Sequence, residues 1–339
     1  MKQVKVGVIG VGRMGQNHCR IYSSLRKVDF VGVYDAIPEV GQGIADRYEV
    51  QAFSSLDELL ERVDAVSIAT PTQPHFDIAM QCLARGIHVL VEKPMTETLE
   101  QAHLLANTAA SSPLIVMVGH IERFNPAVLA MSDVPLKPVF IESHRLASFN
   151  PRGTDVAVIL DLMIHDLDLI LSLVKSNPVQ IDASGVGVIS NTIDIANARI
   201  QFESGCVANV TASRISAKKM RKMRIFQQNS YISIDFVEGF SEIYYIDDSK
   251  STSFQDGTLA FSLGQIDAGN IRKDIKYNKL QRADVNPLKY ELNGFIDSLQ
   301  NDLPVLVSGD EGLAALRLAN QVLEKIAEHT KRVTLEKKD

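Results

Sequence analysis

The sequence predicts an α/β protein in two parts, a doubly wound parallel sheet first and a mostly antiparallel arrangement after it. Three observations carry this. Short Val- and Ile-rich runs alternate with helical patterns up to Gly119, as expected of buried parallel strands covered by helices on both faces. A glycine-rich turn separates the first run from the first helical pattern. From Pro178 onward, strand-like runs follow one another without helices between them, and strands joined directly are antiparallel.

In order, Val4–Ile9 is a β-branched strand ending at Gly10, and Met14–Leu25 has helical spacing. Phe30–Tyr34 is the next strand and Pro38–Tyr48 the next helix. Ser54 or Ser55 caps a short helix containing Leu56, Leu59 and Leu60. Ala65–Ala69 and His88–Val91 read as strands, Pro74–Arg85 and Glu97–Ala110 as helices, and Leu114–Val118 closes the parallel pattern. Beyond it the spacing predicts helices over Asn125–Met131 and Val156–Val174. The antiparallel strands are Gln180–Ile189, Ile195–Phe202, Cys206–Ser213, Met223–Gln227, Tyr231–Phe236 and Glu242–Ile246. The polar stretch 247–286 has no clear period, and helices over Leu288–Gln300 and Asp310–His329 follow it. The boundary falls near Gly119–His120, dividing the chain into domains 1–120 and 121–335.

Composition narrows the functional classes. Lys plus Arg number 35 against 41 Asp plus Glu in 339 residues, a net charge of −6, which excludes a generally basic nucleic-acid-binding protein. Cys19, Cys82 and Cys206 are scattered and odd in number, fitting neither a metal site nor a disulfide framework. The most apolar stretch, Ile159–Val174, contains Asp161, His165, Asp166 and Asp168, so it is no membrane span. Val4–Val11 is broken by glycines and Lys5 and reads as strand and loop, not as a signal peptide. The expectation is a cytoplasmic protein with no metal, nucleic-acid or membrane partner.

Gly10-Val11-Gly12-Arg13-Met14-Gly15 fits G-x-G-x-x-G between a strand and a helix, and Asp35 ends the second strand 20 residues past Gly15. That offset suits a carboxylate binding the adenosine ribose of a dinucleotide. Gly10 permits the tight turn, Gly12 leaves room for the pyrophosphate, and Gly15 lets the helix approach the strand. The helix opening at Arg13 and Met14 then presents free amides to the pyrophosphate; the Arg13 side chain reaches the phosphates or is merely solvated. A carboxylate at Asp35 repels a 2′-phosphate, and Ala36-Ile37 offers no arginine or hydroxyl to receive one. NAD is therefore expected over NADP.

Three further signals are ambiguous one at a time. Thr70-Pro71-Thr72, with His75 opening the next helix, sits at the carboxyl end of a strand, where ligands bind, but equally forms a plain capped proline turn. Glu92-Lys93-Pro94 ends the following strand and points Lys93 into a crevice or simply into solvent. Asp161 and His165 are i and i+4 in an apolar helix and share a face. Such a pair transfers protons or satisfies a buried carbonyl.

In this order and spacing, the five motifs resemble those of the glucose–fructose oxidoreductase/inositol dehydrogenase/MocA family over nearly the whole chain. The resemblance implies a Rossmann domain followed by an α/β domain with a large, mostly antiparallel sheet, commonly the interface of a homodimer or homotetramer. It implies an NAD-dependent enzyme oxidising a carbohydrate secondary hydroxyl to a ketone. It assigns Lys93, Asp161 and His165 to catalysis, read as hydrogen-bond donor to the reacting oxygen, orienting group and general base respectively. Thr70, Pro71, His75, Glu92 and Lys93 join the glycine loop and Asp35 on the cofactor side.

Where many members carry glycines, this chain has Val158-Ile159-Leu160 and Met163, a bulkier wall that disfavours a free monosaccharide. The Gly119–Pro126 and Asp161–Asp166 stretches are similar to members that oxidise the 3-hydroxyl of UDP-N-acetylglucosamine. For such a substrate the candidate ligands are Arg123, Asn125, Arg145, Arg152 and Arg214, an arginine fork being suited to a diphosphate. The basic run Lys218-Lys219-Met220-Arg221-Lys222 joins them or is a solvated face. The rival readings are a free-sugar or inositol dehydrogenase and, in another class, a non-catalytic dinucleotide-binding regulator. Retention of Lys93, Asp161 and His165 argues against the regulator.

Overall fold

The computed structural model describes residues 3–150, 154, 156–246, 261–268, 271–301 and 303–335. The chain divides into two compact units, Met1–Ile121 with Asn286–Arg317, and Glu122–Val285 with Leu318–Asp339.

In the first unit the β-branched runs become β1 (Val4–Ile9), β2 (Val28–Tyr34), β4 (Ala65–Ile68), β5 (His88–Glu92) and β6 (Val116–Gly119). A two-residue β3 (Gln51–Ala52), which the sequence does not announce, completes the sheet. All pairings are parallel, in the order β3-β2-β1-β4-β5-β6. The order reverses between β1 and β4, and a crevice for ligands opens at the carboxyl ends of strands flanking such a switch. Helices α1 (Arg13–Tyr22), α2 (Pro38–Tyr48), α3 (Leu56–Leu60), α4 (His75–Ala84) and α5 (Leu99–Ala110) connect the strands. Their starts follow local chemistry: Ser55 Oγ accepts from Glu58 N at 3.2 Å, and Thr98 forms a capping box with Gln101, satisfying amides that the helix itself leaves unpaired.

The second unit contains α6 (Pro126–Leu129), β7 (Phe140–Leu146), a π-helical turn over Ile159–Met163 and α7 (Ile164–Val174). Then come β8 (Pro178–Val186), β9 (Ile195–Phe202), β10 (Val207–Ser213), β11 (Met220–Gln227), β12 (Ser230–Asp235), β13 (Phe240–Ile246), β14 (Phe261–Ala268) and β15 (Ile271–Gln281). Among the described residues they form a nine-stranded sheet, ordered β14-β15-β13-β12-β11-β7-β10-β9-β8. Neighbours are antiparallel except β7 and β10, which are parallel. The chain leaves β7, passes through α7 and two strands, and returns beside it, a crossover that permits parallel pairing.

Three sequence expectations change here. The first is β7, which was not expected at all: of its inward residues Ile141, Ser143 and Arg145, two are polar, so the usual apolar alternation is missing. The second is Val156–Val174, whose opening is a π turn rather than α-helix. The third is the stretch 247–286, which holds β14 and β15, while residues 247–260 lie outside the described residues.

Part of the stretch 121–335 is grouped with the first unit. Helix α8 (Pro287–Asn301) belongs to the first unit, where its Leu288, Leu292, Phe295 and Ile296 are buried. Lys27 Nζ meets Asp297 Oδ1 at 2.5 Å. Val118 N donates to Val307 O at 3.0 Å, and Met117 bridges Ser308, so the segment after α8 satisfies the backbone of the β6 edge. An apolar helix face and an open sheet edge each need a cover. Here one late segment supplies both. Helix α9 (Gly309–Leu335) begins in the first unit and ends in the second.

Strand register separates the faces of the nine-stranded sheet. Ile141, Ser143 and Arg145 share one face with Ala208, Val210, Ala212, Met223 and Ile225, all buried, and α7 and the π turn pack against β10. The other face carries a row of rings, Phe140, Phe226, Tyr231, Tyr244 and Tyr277, at successive centroid spacings of 5.6, 5.0, 5.5 and 5.1 Å. Among the described residues no helix is long and apolar enough to cross a membrane.

Candidate active site

The cofactor side of the first unit is built largely from backbone. Gly10 has φ +81°, and a Cβ there would stand 2.6 Å from Thr70 Cγ2, so both conformation and neighbour demand glycine. A Cβ on Gly15 would lie 1.9 Å from Gly10 O. Gly12 differs: it is exposed, and no neighbouring atom lies within 4 Å of its would-be Cβ, so the packing does not demand glycine there and the space in front of the loop is open. Gly12 is the N-cap of α1 without a side-chain cap, and the first turn has no acidic residue. Unpaired amides and an uncompensated helix N-terminus suit a pyrophosphate.

Asp35 follows directly on β2 and is half-buried. Its Oδ2 accepts from Val11 N at 2.8 Å and its Oδ1 from Ile37 N at 2.9 Å. It therefore shapes the glycine loop, and each oxygen keeps a lone pair for a ribose hydroxyl. Thr70 and Pro71 follow β4, next to the β1 loop. His75 is buried, with Nδ1 3.0 Å from Pro94 O and Nε2 3.0 Å from Thr70 O. Burial lowers its pKa against the pull of those carbonyls. The expectation that His75 binds cofactor is corrected: its ring nitrogens face backbone, and it fixes the Thr70–Pro71 loop against the Pro94 turn.

Glu92 ends β5 and Lys93 follows it. Lys93 is half-buried, and Glu92 is buried with Oε1 3.0 Å from His18 Nε2. His18, on α1, is fully buried and was not singled out in the sequence; its Nδ1 has no hydrogen-bond partner in the structure.

The second unit builds its part from side-chain charge. Asp161 lies in the π turn and His165 in the first turn of α7, both half-buried. π turns recur at functional sites. Val158, Ile159 and Met163 are fully buried, leaving Leu160 as the half-buried member of the apolar wall. Two arginine forks grip the turn of α7 that follows His165. Arg145 Nε meets Asp166 Oδ2 at 2.7 Å and Arg145 Nη2 meets Asp166 Oδ1 at 3.2 Å. Ser143 Oγ donates to Asp166 Oδ1 at 3.0 Å, and Arg145 Nη1 reaches Glu122 Oε1 at 3.0 Å. Burial works against the Arg145 charge, but Asp166 and Glu122 outweigh it and raise its pKa. Arg123 holds Asp168 through Nε and Nη2 at 2.8 and 2.6 Å.

The substrate-binding expectations are corrected accordingly. Arg123 and Arg145 are engaged by carboxylates. Arg214 is buried, donates to Val156 O and lies 3.9 Å from Asp194 Oδ1. Asn125 is the N-cap of α6, accepting from Ala127 N at 3.1 Å and donating to Phe236 O at 3.0 Å. These four are scaffold. Arg152 lies outside the described residues. Asp194 accepts from Val188, Ile189 and Ser190 N at 2.8, 2.7 and 2.9 Å and from Ser190 Oγ at 2.6 Å. Burial alone would raise its pKa; the Ser190 hydroxyl and the three amides hold it well below the carboxylate range. Glu122, Asp166, Asp168 and Asp194 escaped the sequence reading. Their one signal was that acids in apolar surroundings need cationic or hydrogen-bonding partners.

The glycine loop fits NAD, and its agreement with known proteins is direct. Residues 4–120 match the model of an oxidoreductase family with an NAD-binding Rossmann fold, and residues 140–232 match the GFO/IDH/MocA C-terminal domain. The chain belongs to this GFO/IDH/MocA family of NAD-binding oxidoreductases.

Among individual relatives, it is 36% identical over 323 residues to UDP-N-acetylglucosamine 3-dehydrogenase of Acidithiobacillus ferrooxidans, covering 95% of this chain and 97% of that one. A solved structure of that enzyme matches with a TM-score of 0.84 at 34% identity, covering 96% of this chain and 98% of the other. Inositol 2-dehydrogenase of Rhizobium meliloti is 24% identical over 338 residues, covering 96% and 97%. GenD2 from gentamicin A biosynthesis, solved in complex with NAD, shares the fold at a TM-score of 0.77 and 18% identity, over 97% and 95%.

Proposed function

We propose that this protein oxidises the 3-hydroxyl of UDP-N-acetylglucosamine to a ketone, with NAD as oxidant. The observation carrying this reading is the 36% identity, over 95% of the chain, to an enzyme of that name. The bound dinucleotide supplies a nicotinamide that accepts the hydride. The chain's own residues do the rest. The Gly12 turn and the α1 amides hold the pyrophosphate, and Asp35 takes ribose hydroxyls on the lone pairs that Val11 and Ile37 leave. His165 accepts the hydroxyl proton, Lys93 donates a hydrogen bond to the oxygen as it gains charge, and Asp161 orients its neighbours. The arginine forks on Asp166 and Asp168 fix the α7 turn on which His165 stands, because a base must be held within hydrogen-bond reach of its proton.

We assign dinucleotide binding to the first unit and substrate binding to the second. The ring row on the outer sheet face is assigned as the contact of a homodimer or homotetramer. It sets exposed Phe226, at 36% exposure, among half-buried rings and polar neighbours, the mixed composition of a wet interface. A cytoplasmic address fits a dinucleotide enzyme with three buried free cysteines. Light scattering should give an even number of subunits, and Phe226→Glu should lower it.

The activity test is incubation with NAD and UDP-N-acetylglucosamine, with an aminotransferase present to remove the ketone. NADH absorbance and a 3-keto sugar nucleotide are expected. Free N-acetylglucosamine should be a far poorer substrate, because binding a remote group contributes to holding the reacting one. No NADH and no ketone under these conditions sinks the reading, and robust oxidation of a free sugar or inositol replaces it.

A further inference from the structure

The basic run 218–222 is resolved by strand register into two directions. On β11, Arg221 stands opposite Arg145 of β7, while Lys222 stands opposite His144. Arg221 therefore projects from the sheet face that carries Arg145 and Asp166. Lys222 projects from the ring-bearing face and pairs there with Asp235 at 3.0 Å. Arg224, two residues on, also faces that side and meets Glu142 at 3.6 Å.

The guanidinium groups on the α7 side differ in how far they are committed. The side chains of Arg145, Arg214 and Arg123 are 3%, 6% and 12% exposed, and each meets a carboxylate or carbonyl of the second unit. Arg221 is 50% exposed. Its ion pair is with Glu122 Oε1, at 3.6 Å, beyond hydrogen-bond length, and that same oxygen already accepts from Arg145 Nη1 at 3.0 Å. Glu122 thus aims Arg221 without saturating it. A planar fork with uncommitted N–H groups pairs bidentately with phosphoryl oxygens. Lys218 and Lys219, exposed just before β11, add positive potential. Through Glu122, Arg145 and Asp166, the Arg221 position is tied to the helical turn that carries His165.

We propose that Arg221 is a specificity-determining residue: it receives the diphosphate of a nucleotide-sugar substrate and so selects nucleotide-linked over free sugars. This rests on the function proposed above and names the part of the site that recognises the substrate's anionic arm.

The test uses the full chain with NAD and the variants Arg221→Ala and Arg221→Lys. UDP binding is followed by calorimetry, and oxidation of UDP-N-acetylglucosamine by NADH absorbance. Arg221→Ala should weaken UDP binding and raise KM by about tenfold or more, the loss of a charge-assisted bond. Its kcat should fall by a smaller factor than KM rises, since Lys93 and His165 are left in place. Thermal unfolding should be unchanged, because the side chain is half exposed. Arg221→Lys should recover part of the affinity, and raising salt should weaken the wild type more than the alanine variant. If the wild type binds UDP and Arg221→Ala binds it equally well, the role of Arg221 is overturned while the proposed function stands. If the wild type binds no UDP and oxidises a free sugar or inositol, the proposed function falls and this inference with it.

Discussion

The glycine loop of the first unit and the α7 face of the second hold functional groups by opposite means. In the loop, the groups offered to a ligand are main-chain amides, and the requirement is the absence of side chains: a Gly15 Cβ would overlap Gly10 O, while a Gly12 Cβ would stand in the open space before the helix N-terminus. On the α7 face, the groups are charged side chains out of water, each made tolerable by another. Asp166 needs Arg145, Arg145 needs Glu122 as well, and Asp168 needs Arg123. A loop of this kind tolerates change in its surroundings but not at its own positions. A buried charge network fails when any single member is removed, because the partner is left uncompensated in a low-dielectric site.

Arg145→Met is the sharpest way to break the comparison. It leaves Asp166 and Glu122 facing each other's charge, and breaking a buried pair costs about 3–5 kcal/mol. Urea unfolding should show that loss, and a variant as stable as wild type would mean that the network is not structural. Next come Lys93→Met and His165→Asn. Each should fold and still bind NAD while turnover falls by about 10²–10⁴-fold, the range for a positioned acid–base group. Single-turnover NADH formation near the wild-type rate would remove that residue from the mechanism.

Asp194 gives a pH-dependent contrast. Its folded pKa is depressed, so its stabilising contribution is complete above the unfolded value of about 3.9 and is lost as pH falls below that. Asp194→Asn should cost roughly 1–3 kcal/mol at neutral pH. The gap to wild type should narrow as the medium is acidified below about pH 4; a gap that stays constant would contradict the assignment. The smallest effect is expected at the loop's one carboxylate. Asp35→Ser with Ala36→Arg should move the NAD/NADP affinity ratio by about tenfold toward NADP, ~1.4 kcal/mol. It should also weaken both cofactors somewhat, since Val11 N loses its acceptor. A wild type that prefers NADP would overturn the reading of Asp35.

The parallel sheet, the glycine loop, Asp35 and the helix that carries His165 were legible because each rests on short-range spacing. A strand of Val and Ile, a glycine at a fixed offset and a carboxylate after the next strand are all set by residues near in sequence. β7 was not legible for the reason that makes it important: its inward positions Ser143 and Arg145 are polar because they serve Asp166, more than twenty residues away in the chain. The same blindness put Arg123, Arg145 and Arg214 forward as substrate ligands. An arginine's sequence neighbours do not reveal which acid it will meet.

The sequence by itself determined the family's motifs, the cofactor class and the alternation of the first sheet, since backbone conformation and apolar periodicity are local properties. The tertiary structure alone decided that α8 returns to the first unit, that His75 serves the loop rather than the ligand, and which arginines are committed. Those outcomes depend on burial and strand register, which bring distant charges within hydrogen-bond reach and turn adjacent residues such as Arg221 and Lys222 to opposite faces of one sheet.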